Sequence, residues 1–476
     1  MAPGRIGKVL IRLRAGIVLA LATLLAVVLY RPYLADWLPP ARKGLPGTGA
    51  SAFGERVLIV APHPDDEALG GAGVILKARA AGSRVRVVVM TSGDGFKMAA
   101  AENSRVAAPT PADYRRLGEA RHQESLAAMA HLGLSSGDIL FLGYPDGGLS
   151  RLWETNWDEN CPYTGLNGSR QSPYPFSYQQ EAVYCGAGVV QNLAAILRDF
   201  NPTDVVYPDP NDQNHDHLAT SAFVKYTLAE QNFKTKEWTY LVHRGDFPWP
   251  WKYDPNLSLH PPRALEGLDT RWHYLPLDDR EKGLKLEAVK KYVTQVRVIA
   301  PFLMAFIRTN ELFGSFTDPV LPGDEGSGAG NPPPILFLDP VEDTVGRELE
   351  SGADLVGVGA AQAADHFTIG LATREAINPR IQYALQMRIF RPEGVQRLDL
   401  TVTGTRVKAR KEAANSLDLP AGTRLEVRGK RLWLSMPAGV AAGATGILMS
   451  ATAGSGDRII DRAAWRLVRT LYKSGP

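Results

Sequence analysis

The chain has 476 residues, a formal net charge of +3 and an apolar fraction of 45%. That length exceeds one ordinary domain, so two or three are expected, and the apolar content suffices for well-packed cores. A charge excess this small and unclustered gives no case for a nucleic-acid partner. The two cysteines, Cys161 and Cys185, exclude a disulfide framework and leave room for a single bridge in an oxidising compartment.

In chain order, Arg5, Lys8, Arg12 and Arg14 precede an apolar stretch over residues 15–30, and no acidic residue occurs before Asp36. As a helix the stretch spans about 24 Å, slightly short of a bilayer core. The pattern predicts a membrane anchor within residues 1–36, with the cations in the cytoplasm and the rest of the chain on the periplasmic or extracellular side. Secretion after signal cleavage is the rival reading, but Arg31-Pro32 stands where a small-residue cleavage site belongs. Residues 37–54 read as a Pro/Gly/Ala-rich linker.

From residue 55 to 317 strand and helix signals alternate. Strands are expected at residues 57–61, 84–91, 138–142, 204–207 and 238–242, and helices at residues 111–132, 189–200 and 218–230. This alternation predicts an α/β, Rossmann-like domain, a mainly parallel sheet with helices on both faces. Two segments break the pattern: residues 150–185, rich in Tyr, Trp, Asn, Ser and Pro, and residues 247–262, which carry Trp249, Trp251 and Tyr253. Insertions of this composition either wall a cleft or cover a sheet edge. Residues 318–335 form a second Pro/Gly linker. Beyond it, residues 336–476 contain short alternating runs separated by turn residues, the pattern of a β-sandwich.

The most informative run is Val57-Leu58-Ile59-Val60-Ala61-Pro62-His63-Pro64-Asp65-Asp66-Glu67. A buried-strand pattern is followed at once by an imidazole and three carboxylates, at the edge where open α/β sheets bind ligands. Asp65 or Asp66 as a plain helix cap is the bland alternative. A second cluster, Asn214-His215-Asp216-His217, follows the fourth strand. His63, Asp66 and His217 together make a two-His, one-carboxylate set suited to Zn2+ with a position left for water. Other divalent ions share such ligands.

These residues resemble the GlcNAc-phosphatidylinositol de-N-acetylase family, also called PIG-L or LmbE-like. Its first motif is present in full as Pro62-His63-Pro64-Asp65-Asp66-Glu67. Its second usually reads His-Pro-Asp-His, and here reads Asn214-His215-Asp216-His217. Arg121 and Glu124 fit an Arg-x-x-Glu helix, residues 143–148 fit a Gly-x-x-Asp-x-Gly turn, and residues 285–295 with Glu311-Leu312-Phe313 fit the closing segment. The resemblance covers about residues 55–316.

The resemblance implies zinc on His63, Asp66 and His217, with Asp65 as general base. Zinc lowers the pKa of bound water to about 7, so hydroxide attacks an acetamide and releases acetate and a free amine. Asn214 replaces a histidine that supports the oxyanion or protonates the amine. It can donate a hydrogen bond but cannot act as an acid near neutral pH. Asp65 alone, then His215, then His243 are the candidates for that proton. Asp146 is expected to hold sugar hydroxyls, and Asp94 and Arg121 to support the site or touch substrate. The C-terminal part resembles DOMON-like and family-nine-type carbohydrate-binding sandwiches through Ala353-Asp354, Ile381-Gln382-Tyr383 and Asp461 before Ala463-Ala464-Trp465.

The expectation is therefore a membrane-anchored zinc hydrolase that removes acetyl groups from N-acetylated amino sugars, N-acetylglucosamine among them, in an envelope glycan or glycolipid. A catalytically silent glycan-binding protein and a zinc hydrolase of another amide are the alternatives.

Overall fold

Alternate residues of the first strand face opposite ways into two separate cores. Val57 and Ile59 join one apolar cluster and Leu58 and Val60 the other, all of them buried. Burial on both faces is why this strand reads as a continuous apolar run. Each such side chain contributes about 1.5–3 kcal/mol relative to exposure. The computed structural model describes residue 47 and residues 53–323, 330–341, 351–410, 416–417, 419–456 and 458–470. The expected anchor at residues 15–30 and nearly all of the 37–54 linker lie outside the described residues. Among the described residues no helix is long and apolar enough to cross a membrane.

Five strands form the parallel part of the first sheet: β1 (Arg56–Ala61), β2 (Arg84–Thr91), β3 (Ile139–Tyr144), β4 (Asp204–Pro208) and β5 (Lys236–Tyr240), in the order β3-β2-β1-β4-β5. β1 pairs in parallel with both β2 and β4. The strand order reverses between β1 and β4, the switch point that opens a crevice at the carboxyl edge. The sequence pattern did not reveal two further strands, β6 (Arg271–Pro276) and β7 (Asn310–Ser315). They extend the sheet beyond β5 in antiparallel fashion.

Helices cover both faces. α1 (Asp66–Leu69), α2 (Ala72–Ala80), α4 (Pro111–His131), α8 (Asp279–Val289) and α9 (Val293–Met304) pack on the Val57 side, with α3 (Lys97–Ser104) leaning on α4. α5 (Leu149–Glu154), α6 (Gly186–Phe200) and α7 (His215–Glu230) pack on the other. Lys285 in α8 pins this arrangement beneath the crevice. Its ammonium donates to Glu311 and to the Leu69 carbonyl, 2.7 Å in each case, while Glu311 accepts the Gly73 N–H at 2.8 Å. α9 departs from helical geometry at Ile299 and contains Pro301, so its last turn is redirected and carries Phe302. The two cysteines are unbonded: Cys161 is exposed, and Cys185 is buried at the start of α6, where its sulfur accepts the Gly188 N–H.

The C-terminal region consists of two antiparallel sheets. One has the order β15 (Arg424–Arg428), β16 (Arg431–Pro437), β10 (His366–Thr373), β9 (Leu355–Gln362), β8 (Ile335–Leu338). The other runs β14 (Ser416–Leu417), β13 (Arg406–Arg410), β12 (Gly394–Thr403), β11 (Gln382–Arg391), β17 (Gly446–Ser455), β18 (Arg458–Arg469). Inward residues of both, such as Ile369, Leu434, Met387 and Met449, belong to one apolar cluster. Residues 45–476 form a single compact unit. Arg388, wholly buried, lies 4.8 Å from the Trp465 ring and 5.5 Å from that of Trp153 in α5. Arg397 stacks 3.9 Å over Trp157 and donates to the Trp153 carbonyl. Trp433, Trp465 and Tyr383 are buried, so these rings serve packing rather than display.

Candidate metal and catalytic site

The loops after β1 and β4 meet over the switch point. His63 Nδ1 lies 3.1 Å from Asp66 Oδ2, and the His63 backbone N–H donates to the same oxygen at 3.0 Å. His217 Nε2 lies 3.0 Å from that oxygen as well. One donor atom from each of His63, Asp66, His217 and His243 falls within 4.8 Å of the others. Asp66 Oδ1 and His217 Nε2 are buried and make no hydrogen bond. Leaving such atoms without partners is costly, and a divalent cation removes that cost. The donor set therefore fits a metal ion of zinc type.

Three further carboxylates hold the imidazoles in place. His217 Nδ1 lies 3.2 Å from Asp212 Oδ2. His63 Nε2 lies 3.3 Å from both Asp146 and Asp216, and Asp216 itself accepts N–H groups of Gly147 and Leu149. Burial opposes charge on both rings, yet the carboxylates win. Asp212 and Asp66 raise the His217 imidazole to about 9, and Asp146 and Asp216 raise that of His63 well above its ordinary value. Asp212 was not singled out from the sequence, although it stands between β4 and α7, two residues before the Asn214-His215-Asp216-His217 cluster.

Asp65 begins α1 but does not cap it with its side chain. Its backbone sits at φ 131°, a region non-glycine residues rarely adopt and one that costs about 1–3 kcal/mol. Several bonds hold it there. Its N–H donates to Glu67 at 2.9 Å, and Glu67 in turn accepts from Ser125 and from the Tyr292 hydroxyl. Arg121 donates to the Asp65 carboxylate at 3.0 Å, to the Gly93 carbonyl at 2.9 Å and to the Pro64 carbonyl. Burial pushes the Asp65 carboxyl up to about 8, with Arg121 opposing and Asp66 and Glu67 adding to the rise. The capping alternative for Asp65 is thereby removed.

Placement decides among the alternatives that the sequence left for several residues. Asn214 caps α7, its Oδ1 accepting the Asp216 N–H at 2.8 Å, so its amide oxygen is committed to the helix. His215 is exposed on the first turn of α7, away from the cluster. Arg121 is 3% exposed and serves the Asp65 turn rather than an open pocket. Asp94 is also buried. Its carboxylate accepts from Tyr174, Asn167 and the Asp146 N–H, which knits residues 167–174 to the turn after β3. Asp146 remains partly exposed beside His63. His243, the third-ranked proton candidate, is the one brought in. Its ring centroid is 4.8 Å from that of His217, and it stacks on Phe302 at 5.3 Å. Burial and the neighbouring His217 lower its pKa to about 4, so the ring is neutral.

Residues 58–228 match the family described as PIG-L: GlcNAc-PI de-N-acetylase. A 1D-myo-inositol 2-acetamido-2-deoxy-alpha-D-glucopyranoside deacetylase of a Nocardioides species is 30% identical over 183 residues, 37% of this chain and 55% of the relative. The chain thus spans about half the length of that relative. The protein of the same description from Tsukamurella paurometabola is 29% identical over 284 residues, 54% of this chain and 87% of the relative. Among solved structures, teicoplanin deacetylase Orf2 is similar at a TM-score of 0.35 and 17% identity, over 54% of this chain and 97% of that one. The N,N'-diacetylchitobiose deacetylase of Pyrococcus horikoshii is similar at a TM-score of 0.32 and 23% identity, over 54% and 82%. On the strength of the intact first motif and the matched region, residues 58–228 of this chain are a PIG-L family domain.

Proposed function

We propose that this protein is a metal-dependent hydrolase that removes the acetyl group from an N-acetylated amino sugar, releasing acetate and a free amine. One observation carries the reading: an uncapped, buried Asp65 held by Arg121 beside a His63, Asp66 and His217 donor set with unsatisfied buried atoms. The names of the relatives, which act on an acetamido sugar joined to inositol, support the same chemistry.

His63, Asp66 and His217 would hold the ion, with zinc favoured by two imidazoles and one carboxylate. When bound, such an ion supplies Lewis acidity to the acetamide carbonyl and to water. Asp65 accepts the proton of the attacking water. Burial favours its neutral form and Arg121 its charged form, so it can take that proton and release it as the amine leaves. Arg121 fixes the direction of the Asp65 carboxylate. His243 is the imidazole available to donate a hydrogen bond to the developing oxyanion or leaving nitrogen, at the place in the site where Asn214 supplies no imidazole. Asp146 orients His63 and offers its exposed edge to sugar hydroxyls. The net change is addition of water across the C–N bond, the proton passing from water to the amine.

The domain reading is a hydrolase unit over residues 55–317 and a β-sandwich over residues 336–476 that buttresses it through Trp153, Trp157, Arg388 and Arg397. Placement outside the cytoplasm, with an envelope glycan or glycolipid as substrate, is supported by the cations before residues 15–30. A reporter active only in the cytoplasm, fused after residue 60, would contradict that placement if it gave signal. The function is tested by incubating the metal-loaded chain with a panel of N-acetylated sugars and measuring acetate. Release from at least one is expected, and none from any would overturn the proposal.

A further inference from the structure

We infer that the β-sandwich sets the geometry of the proposed metal site through Arg397, a positioning residue that fixes α5 and, with it, the carboxylates beside His63. The inference rests on the metal reading of His63, Asp66 and His217. It adds to that reading a residue outside the matched family region, residues 58–228.

At its first end, α5 is tied to the site. Asp216, in the first turn of α7 and 1% exposed, accepts the Gly147 N–H on Oδ2 at 2.6 Å and the Leu149 N–H on Oδ1 at 3.0 Å. The same Oδ2 lies 3.3 Å from His63 Nε2. Asp146 Oδ1, on the turn that opens α5, lies 3.3 Å from that nitrogen too. Both carboxylates at the Nε2 edge of His63 are therefore joined to the start of α5, while Nδ1 of the same ring faces Asp66.

At its other end, α5 is held by the sandwich. A helix of six residues is too short to be stable alone, and its last carbonyls have no partner within it. Arg397 of β12, itself buried, donates to the Trp153 carbonyl at 2.6 Å, and its guanidinium lies 3.9 Å over the Trp157 ring. Arg462 of β18 pairs with Glu154 at 2.5 Å. The Trp153 ring meets Trp465 of β18 at 5.1 Å and Phe223 of α7 at 5.0 Å, edge to face in both cases. α5 is thus a short strut, with the sandwich at one end and the carboxylates of His63 at the other. Packed side chains and rigid elements of this kind carry coupling between distant sites.

The test reads two quantities in the full chain: zinc affinity, by competition with a chelator, and amide hydrogen exchange. Arg397→Met keeps an apolar stem over Trp157 and removes the donors. It should weaken zinc binding roughly 2- to 30-fold, the range for coupling through packed networks. It should also speed deuterium uptake over residues 145–152, which contain the two N–H groups held by Asp216. Ile369→Val, in the sandwich's own core, is the control for general loosening. It should lower the melting temperature and leave zinc affinity at the parent's value. In an Asp216→Asn background, Arg397→Met should weaken zinc binding much less than it does alone, because the two act along one route. Parent-like affinity or parent-like exchange in a folded Arg397→Met overturns the inference. So does equal weakening by Ile369→Val, or full additivity with Asp216→Asn. If Arg397→Met does not fold, Arg462→Ala, at the same end of α5, decides by the same two readouts. If the parent binds no zinc, the metal reading fails separately and exchange over residues 145–152 still decides: faster uptake in Arg397→Met supports the strut, and parent-like uptake rejects it.

Discussion

Nδ1 of His217 faces the Asp212 carboxylate at 3.2 Å. The same carboxylate accepts the N–H groups of Val242 and His243, each at 3.0 Å, and that of Asn214 at 2.9 Å. One buried side chain thus joins the end of β5, the start of α7 and a metal-facing imidazole. Carboxylates behind a metal-facing histidine fix its orientation and raise its basicity. Asp212→Asn should weaken metal binding about 10- to 100-fold, measured by competition with a chelator. Unchanged affinity would show that Asp212 serves the backbone alone.

Arg121 and Asp65 form a buried ion pair that also fixes the strained turn at Asp65. Removing one partner strands the other charge, a loss of about 3–5 kcal/mol. Arg121→Met should show that loss in chemical denaturation together with reduced acetate release. A variant within about 0.5 kcal/mol of the parent would mean the pair carries no weight.

His243 and His215 separate two positions for the missing imidazole. His243→Gln should lower kcat about 10²- to 10⁴-fold, the range for a proton-transferring or oxyanion-supporting group. His215→Ala, on the exposed first turn of α7, should change stability by no more than about 0.5 kcal/mol and leave kcat near that of the parent. The reverse pattern would restore the second motif as the source of the proton.

Asp94 provides a pH test at a group that is not itself a proposed ligand. Burial pushes its carboxyl up to about 6, against donors from Tyr174 and Asn167 that pull it down. A folded pKa above the unfolded value near 3.9 means the folded state holds the proton more tightly. Its contribution to stability is therefore complete below about pH 4 and is lost as pH rises to about 6, a change of about 3 kcal/mol. The stability difference between the parent and Asp94→Asn should fall across that window and stay level above it. A difference constant from pH 4 to 8 would contradict the assignment.

Much of this was legible in the chain because apolar periodicity and motif spacing are local. β1, β2, α4 and α7 stand within a few residues of their expected bounds, since each carries an apolar face with clear ends. β6 and β7 were not legible. Their pairing is antiparallel and non-local, and Asn310 to Ser315 alternate too weakly to announce a strand. β9 and β18 were also missed: β9 is rich in glycine and alanine, and β18 interleaves arginines with its core residues. At the site, the ligand candidates followed from the motifs. The cap at Asn214 did not, nor did the choice for Arg121 and Asp94 between supporting the site and touching substrate, because whether a polar side chain caps, clamps or faces solvent depends on what tertiary packing brings beside it. His243 shows the same limit in reverse, for its stack on Phe302 depends on a break in α9.

The central claim is that Asp65 takes the water's proton while other residues hold the ion. Asp65→Asn keeps His63, Asp66 and His217 and removes the base. Measured side by side with the parent on the most reactive N-acetylated sugar, it should retain its metal by elemental analysis. It should release acetate about 10²- to 10⁴-fold more slowly. Acetate release at the parent's rate by a metal-loaded Asp65→Asn would contradict the account.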